Sequence, residues 1–225
     1  MATISLCMIV KNESAVLARC LDSIADLMDE IIIVDTGSTD NTKEIAAQYT
    51  SRIYDFKWTS DFSAARNFSF SKATMEYIYT ADADEILDDA NRERFLRLKD
   101  ALLPEIEIVQ MKYVTQGTFD TVLNAKKEYR PKLFRRLRTF TWIDPIHETV
   151  RLTPVTFDSD VEILHCPQSL HSKRDFSIFI KAFEHDGQFS PKIRTMYAKE
   201  LLKTGDKKDF TDAKPIFQLI FDNDP

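Results

Sequence analysis

Tyr77-Ile78-Tyr79-Thr80-Ala81-Asp82-Ala83-Asp84-Glu85 is the stretch whose reading decides the fold of this chain. Its first half is aromatic and β-branched, which suits a packed, pleated strand. The carboxylates begin where such a strand ends. In open α/β sheets, ligands bind outside the carboxyl ends of the strands. Two aspartates one residue apart can divide the work there, one meeting a ribose hydroxyl and the other a hard divalent cation. The competing reading is a solvated turn, because aspartate favours turns and helix caps. A calcium loop of the EF-hand type is disfavoured, since counting from Asp82 its obligatory glycine falls on Leu87.

Upstream, the same pattern recurs three times. Thr3–Val10 is a near-continuous apolar run of strand length, as expected for a strand buried on both faces. Leu17, Cys20, Leu21 and Ile24 follow at helical spacing. Glu30–Val34 is a second strand, ended by Asp35 and a loop rich in turn and cap residues from Thr36 to Thr42. A helix over Lys43–Tyr49, a third strand over Arg52–Phe56 and a helix from Ser63 to Ala73, capped by Ser63, lead to the fourth strand at Tyr77. This β-α-β-α-β-α-β alternation predicts an α/β fold with a mainly parallel sheet flanked by helices. Asn12-Glu13, Asp35 with its loop, and Asp82-Ala83-Asp84 then all fall on one rim, which favours a site over a turn.

Downstream, Asp88-Asp89 opens a helix carrying Phe95, Leu98 and Leu102, and Pro104 closes it. Ile106–Val114 reads as a strand, Thr115–Ala125 as a loop, and Val161–Leu164 as a strand ending in His165-Cys166-Pro167. Seven of the thirteen residues from Lys126 to Arg138 are lysine or arginine, interleaved with Tyr129 and Phe134. The last quarter is helical: Phe176, Phe179, Ile180 and Phe183 form one stripe, Ile193, Met196, Tyr197 and Leu201 a second, Ala213, Ile216, Phe217 and Ile220 a third. Residues 1–170 are therefore expected to form one α/β domain. Residues 171–225 are expected to form a helical extension, resembling the start of a helical-hairpin repeat array.

Composition narrows the classes. With 225 residues, 44% hydrophobic and 29% charged, the chain is an ordinary globular protein. A net charge of −6 gives no reason to expect nucleic acid as a partner. Its four glycines, Gly37, Gly117, Gly187 and Gly205, exclude a P-loop and a GxGxxG fingerprint. Cys7, Cys20 and Cys166 are odd in number and widely spaced, so neither a disulfide framework nor a zinc site is expected. A reducing cytoplasm fits, and neither a signal peptide nor a transmembrane segment is read.

With these residues in view, the chain resembles the family 2 glycosyltransferases, in particular the branch of lipopolysaccharide-core glucosyltransferases and bacterial peptide or protein glycosyltransferases. The matching segments are Ser5–Glu13, Glu30–Thr42, Trp58 with Asp61–Asn67, Ala81–Glu85, Lys132–Arg135 and Ile146–Glu148. The resemblance implies a GT-A fold, a UDP-sugar donor, a divalent metal such as manganese or magnesium, inversion at the anomeric carbon, and a protein, peptide or glycan acceptor. It places Val10, Asn12, Glu13, Asp35, Ser38, Arg66, Asp82, Ala83 and Arg135 around the donor. Within that set Glu13 would lie against the base, Asp35 would meet the uridine or ribose, Arg66 would hold Asp82 or a phosphate, and Arg135 or Arg136 would face the diphosphate. Asp84, with Asp82, would ligate the metal. His165 also follows a strand, and its imidazole would complete that shell or serve a structural role. Glu148, beside His147 where many relatives carry Glu-Asp, falls at the position of the catalytic base. In the peptide-modifying branch a helical repeat domain follows, which fits the C-terminal helices and allows a homo-oligomer through them.

Two other classes compete. The segment 126–138 has the basic and aromatic composition of an RNA- or polyanion-binding module, which the overall acidity opposes. A catalytically inactive GT-A scaffold is opposed by the retained acids. A phosphatase of DxDxT type fails at Ile86.

Overall fold

The computed structural model describes residues 1–115, 127–136, 142–143, 145–146, 149–150, 154–166 and 172–223. The chain divides into two compact units, one of residues 1–58, 65–141 and 151–168, the other of 59–64, 142–150 and 169–225.

The first unit is built on one eight-stranded sheet. Its elements are β1 (Ile4–Val10), α1 (Leu17–Ile24), β2 (Glu30–Asp35), α2 (Thr42–Ala46), β3 (Ile53–Asp55), α3 (Phe62–Phe70, whose first residues belong to the second unit), β4 (Tyr77–Thr80), β5 (Glu85–Ile86), α4 (Asp89–Ala101), β6 (Ile108–Thr115), β7 (Lys127–Arg135) and, after the short strands β8 (Trp142–Ile143) and β9 (Thr149–Val150), β10 (Thr156–His165). The order across the sheet is β3-β2-β1-β4-β7-β6-β10-β5. Strands β3, β2, β1 and β4 are mutually parallel, β6 pairs parallel with β10, and β7 lies antiparallel between β4 and β6. Six strands therefore point one way, and their carboxyl ends share a rim.

The continuous apolar run of β1 is explained by burial on both faces. Ile4, Leu6, Met8 and Val10 pack into one core with the α1 stripe Leu17, Cys20, Leu21 and Ile24. Cys7 turns the other way, beside Ile32, Val34, Ala73 and Ile78. Tyr79 of β4 meets Phe95 of α4 edge to face, ring centroids 5.4 Å apart. Asp88 caps α4, its carboxylate accepting from the Asn91 N–H at 2.9 Å.

Two local expectations change. Asp61, not Ser63, caps α3: its Oδ1 accepts from the Ala64 N–H at 3.1 Å and from the Ser63 hydroxyl at 2.7 Å. Helix α2 stops at Ala46, and Tyr49 lies beyond it, donating its hydroxyl to Asp22 at 2.6 Å. That bond, with burial, raises the Tyr49 phenol to about 12.

The basic segment is the larger difference. Most of it is β7, a strand inside the sheet, with Lys132, Leu133 and Phe134 buried. Proline in a strand interior ordinarily argues against a central position, because it has no N–H to give the ladder. Here the register passes from Val109↔Leu133 to Gln110↔Pro131, so Lys132 is the extra residue of a β-bulge. The bulge accommodates Pro131 and re-aims Lys132. Of the loop read over Thr115–Ala125, Thr115 is the last residue of β6 and residues 116–125 lie outside the described residues.

The second unit holds the antiparallel pair β8–β9 and three helices, α5 (Ser172–Asp186), α6 (Pro191–Thr204) and α7 (Lys207–Asn223). All three aromatic stripes are interior: Tyr197 stacks on Phe179 with ring centroids 4.6 Å apart and also packs against Phe217. Ser190 caps α6, accepting from the Ile193 N–H, with Pro191 at its first position. Among the described residues no helix is long and apolar enough to cross a membrane.

Candidate active site

The rim gathers side chains from five strand ends. Val10 ends β1 opposite Asp35 of β2, and the loops that follow are stitched together. Asn12, in the left-handed region at φ 56°, gives its N–H to the Ser38 hydroxyl and accepts from the Thr39 N–H at 2.8 Å. The Glu13 N–H reaches the Thr42 hydroxyl, and the Ser14 N–H reaches Asp40. Burial disfavours the ionised Asp40 carboxyl, but hydrogen bonds from Thr42 and Ser14 outweigh it and hold the group at about 2. Asp35 is 1% exposed. Its Oδ1 accepts from the Gly37 and Ser38 N–H groups, both at 2.9 Å, while Oδ2 is buried with no hydrogen-bond partner among the described residues. A buried acceptor without a donor is costly unless something fills it.

The organising stretch behaves as two pieces. Strand β4 stops at Thr80, and Glu85-Ile86 is the short strand β5, antiparallel to His165-Leu164. The acids occupy the turn between. Its backbone is pinned by the Glu85 N–H to the Asp82 carbonyl at 3.1 Å, the Cys166 N–H to the Asp84 carbonyl at 3.0 Å, and the Asp82 N–H to Glu85 Oε2 at 3.2 Å. Ala83 is buried in the core, which turns Asp82 and Asp84 outward. The β5–β10 pairing sets the His165 Nε2 3.0 Å from Asp84 Oδ2, eighty-one residues earlier in the chain. The His165 ring lies 5.0 Å from that of Tyr113, and its Nδ1 is buried without a partner among the described residues.

Beneath the acids lies an ion pair that the sequence reading did not assign to the site. Lys132 Nζ sits 2.5 Å from Glu85 Oε1, with Lys132 5% and Glu85 2% exposed. Burial pushes the Glu85 carboxyl up, against the pull of Lys132. Asp82, by contrast, is exposed at the mouth of this shell. Packed protein around it opposes ionisation, but the positive charges of Lys132, Arg66 and Arg130 prevail and hold its carboxyl below the usual range. Arg66, half-buried in α3, is one of the charges that favour the ionised Asp82. Arg130 is also new here: its guanidinium carbon lies 3.7 Å from the Tyr113 ring centroid, and its Nε donates to Glu128 Oε1 at 2.6 Å. The signal for both cations was their place in the basic segment; their direction was not readable without the bulge and the strand order.

The structure does not bring Arg135 to this cluster. It pairs with Tyr77 at the amino end of β4, on the opposite edge of the sheet, where Arg136 gives its Nε–H to the Met75 carbonyl. Glu148, His147, Asp144 and His171 lie outside the described residues.

Among the described residues no three His, Cys, Asp or Glu side chains form a ready-made cation cage. By chemical type alone, two carboxylates and an imidazole are donors that manganese or magnesium accepts, with substrate phosphates commonly filling the remaining positions.

Residues 5–153 match the profile of glycosyl transferase family 2. That span is more than half of the chain, and the chain belongs to this family. Among curated relatives, a TPR repeat-containing protein of Synechococcus elongatus is 48% identical over 87 residues, covering 39% of this chain and 22% of that protein. The SPbeta prophage-derived glycosyltransferase SunS of Bacillus subtilis is 33% identical over 132 residues, 57% of this chain and 31% of that one. The lipopolysaccharide core biosynthesis glycosyltransferase LpsC of Rhizobium meliloti is 31% identical over 99 residues, 42% of this chain and 33% of that one. The chain thus spans about a fifth to a third of the length of these relatives. Glucosyl-3-phosphoglycerate synthase of Mycobacterium tuberculosis, solved with Mn2+, UDP-glucose and phosphoglyceric acid, superposes with a TM-score of 0.59 at 18% identity, covering 84% of this chain and 82% of that one. The likeness fixes the fold as GT-A.

Proposed function

We propose that this protein is a metal-dependent, inverting glycosyltransferase that moves a sugar from a UDP-sugar to a protein, peptide or glycan acceptor. The observation that carries the reading is the rim itself: Asp35 with an unfilled buried oxygen, Asp82, Asp84 and His165 at the carboxyl ends of parallel strands. The family match supports transfer chemistry, and the mycobacterial neighbour with Mn2+ and UDP-glucose supports that donor and cation class.

In this reading Asp35 accepts from the uridine or ribose, with Val10, Asn12, Glu13 and Ser38 shaping the pocket beside it. Asp84, Asp82 and His165 hold manganese or magnesium, which when bound would offset charge on the departing diphosphate. Arg66 and Lys132 keep Asp82 ionised, and Ala83 turns both aspartates outward. Glu148 takes the proton from the acceptor hydroxyl or thiol as that atom attacks the anomeric carbon and the nucleoside diphosphate leaves from the opposite face. The TPR description of the cyanobacterial relative supports reading residues 171–225, including α5–α7, as the start of a helical repeat domain that follows a catalytic domain of residues 1–170 and takes a protein or peptide acceptor. Exposed Leu202, Phe210, Leu219 and Phe221 support self-association through these helices. The free thiols Cys7 and Cys20, both buried, support a cytoplasmic setting.

Calorimetry with UDP tests the donor site. UDP should bind more tightly with manganese than without it, and Asp84→Ala should remove the difference. Equal UDP affinity in both proteins, with and without metal, would take Asp84 out of the site.

A further inference from the structure

Asp82 and Asp84 together cancel the charge of one divalent cation. A nucleoside diphosphate would then bring its negative charge to a rim without net positive charge, unless the chain supplies a cation. Arg135 is at the other edge of the sheet. Lys132 is committed to Glu85 in a buried pair, and breaking such a pair strands a charge in the interior. Arg66 is half-buried on α3.

Arg130 differs in each respect. Because β7 runs antiparallel to its neighbours, its first half reaches the rim, and Arg130 stands opposite Met111 two residues before the bulge. Its side chain is 46% exposed. Tyr113, only 3% exposed, gives the guanidinium a fixed platform. Glu128 engages Nε and one terminal nitrogen through a single carboxylate oxygen, Oε1. A guanidinium carries five N–H donors in a planar fork that matches phosphate oxygens. An exposed ion pair of this kind is weak and exchanges readily for a better anion.

We propose that Arg130 binds the diphosphate of the nucleotide-sugar and supplies a counter-charge to that leaving group. The proposal rests on the UDP-sugar reading of the rim. Its chemistry is recognition of phosphate oxygens, so it separates from recognition of the nucleoside. Chemical-shift titrations of the full chain with UDP and with uridine, in magnesium, should show this for the parent, Arg130→Ala and Arg130→Lys. Arg130→Ala should weaken UDP roughly ten- to a hundredfold, the worth of hydrogen bonds to a charged group, and leave uridine within about twofold. Arg130→Lys, keeping the charge without the fork, should fall between. Unchanged UDP affinity in Arg130→Ala would overturn the assignment. So would equal losses for UDP and uridine with a lowered melting temperature, which would make Arg130 a support for Tyr113. A parent that binds neither ligand would sink the donor reading first, and Arg130's role with it.

Discussion

Replacing Lys132 with methionine keeps most of the stem volume and deletes the cation beneath the acidic turn. Among the described residues Glu85 would then face the interior with one remaining hydrogen-bond partner, the Asp82 N–H at 3.2 Å. Removing one member of a buried ion pair costs about 3–5 kcal/mol, a large share of a domain's stability of about 5–15 kcal/mol. For a chain of this size each kcal/mol moves Tm by about 2–4 °C, so the loss should be roughly 6–20 °C. Glu85 has one escape, to take up a proton. Burial already raises its carboxyl, and losing Lys132 removes the main force opposing that rise. The folded variant would hold a proton that the unfolded chain releases above about pH 4.3. Stability therefore falls as pH rises through the window between the unfolded and folded values, and the penalty is largest near pH 8 and shrinks toward pH 5. Lys132→Met/Glu85→Gln, with no stranded charge, should recover most of the loss. Thermal melts followed by circular dichroism at several pH values provide the test. A Lys132→Met protein that melts within about 2 °C of the parent at pH 8, or whose penalty grows on acidification, would refute the reasoning.

Ile32 is fully buried in the second core cluster, so Ile32→Asp should leave an unpaired interior charge costing several kcal/mol and yield no cooperatively melting protein; a soluble variant with a sharp melt would contradict that placement. Glu148→Gln should leave UDP and metal affinity nearly unchanged while transfer, read as UDP release with acceptor, falls roughly 10²–10⁴-fold. If Glu148 instead pairs with Arg151, melting temperature and donor affinity would fall with it. The depressed Asp40 carboxyl contributes stability that is present above its unfolded value near pH 4 and lost as pH falls through about 2. The melting temperatures of Asp40→Asn and the parent should converge near that lower pH and separate above pH 4, and parallel curves would show that the Ser14 and Thr42 bonds carry no such linkage.

The strands and helices of the first eighty residues were legible because their signals are local. The apolar run Thr3–Val10, the α1 stripe and the acids after Tyr77–Thr80 each sit within one or two turns of chain, and parallel crossovers leave few arrangements for such a series. The same locality made Asp35, Asp82 and Asp84 readable as one rim before any coordinates. Beyond β6 the decisive facts are pairings between distant residues. Nothing local says that a proline-containing basic segment enters the middle of the sheet in reverse, yet that reversal puts Arg130 on the rim and Arg135 on the far edge. A bulge of one residue sends Lys132 to Glu85, and because side-chain direction has period two, one extra residue changes which groups a strand presents. Likewise, Asp84 meets His165 through the short β5–β10 ladder. Sequence by itself determined the fold class and pointed to the acids at its rim. Tertiary structure decided which cations surround them, because strand order and register are set by packing across the sheet and not by neighbours along the chain.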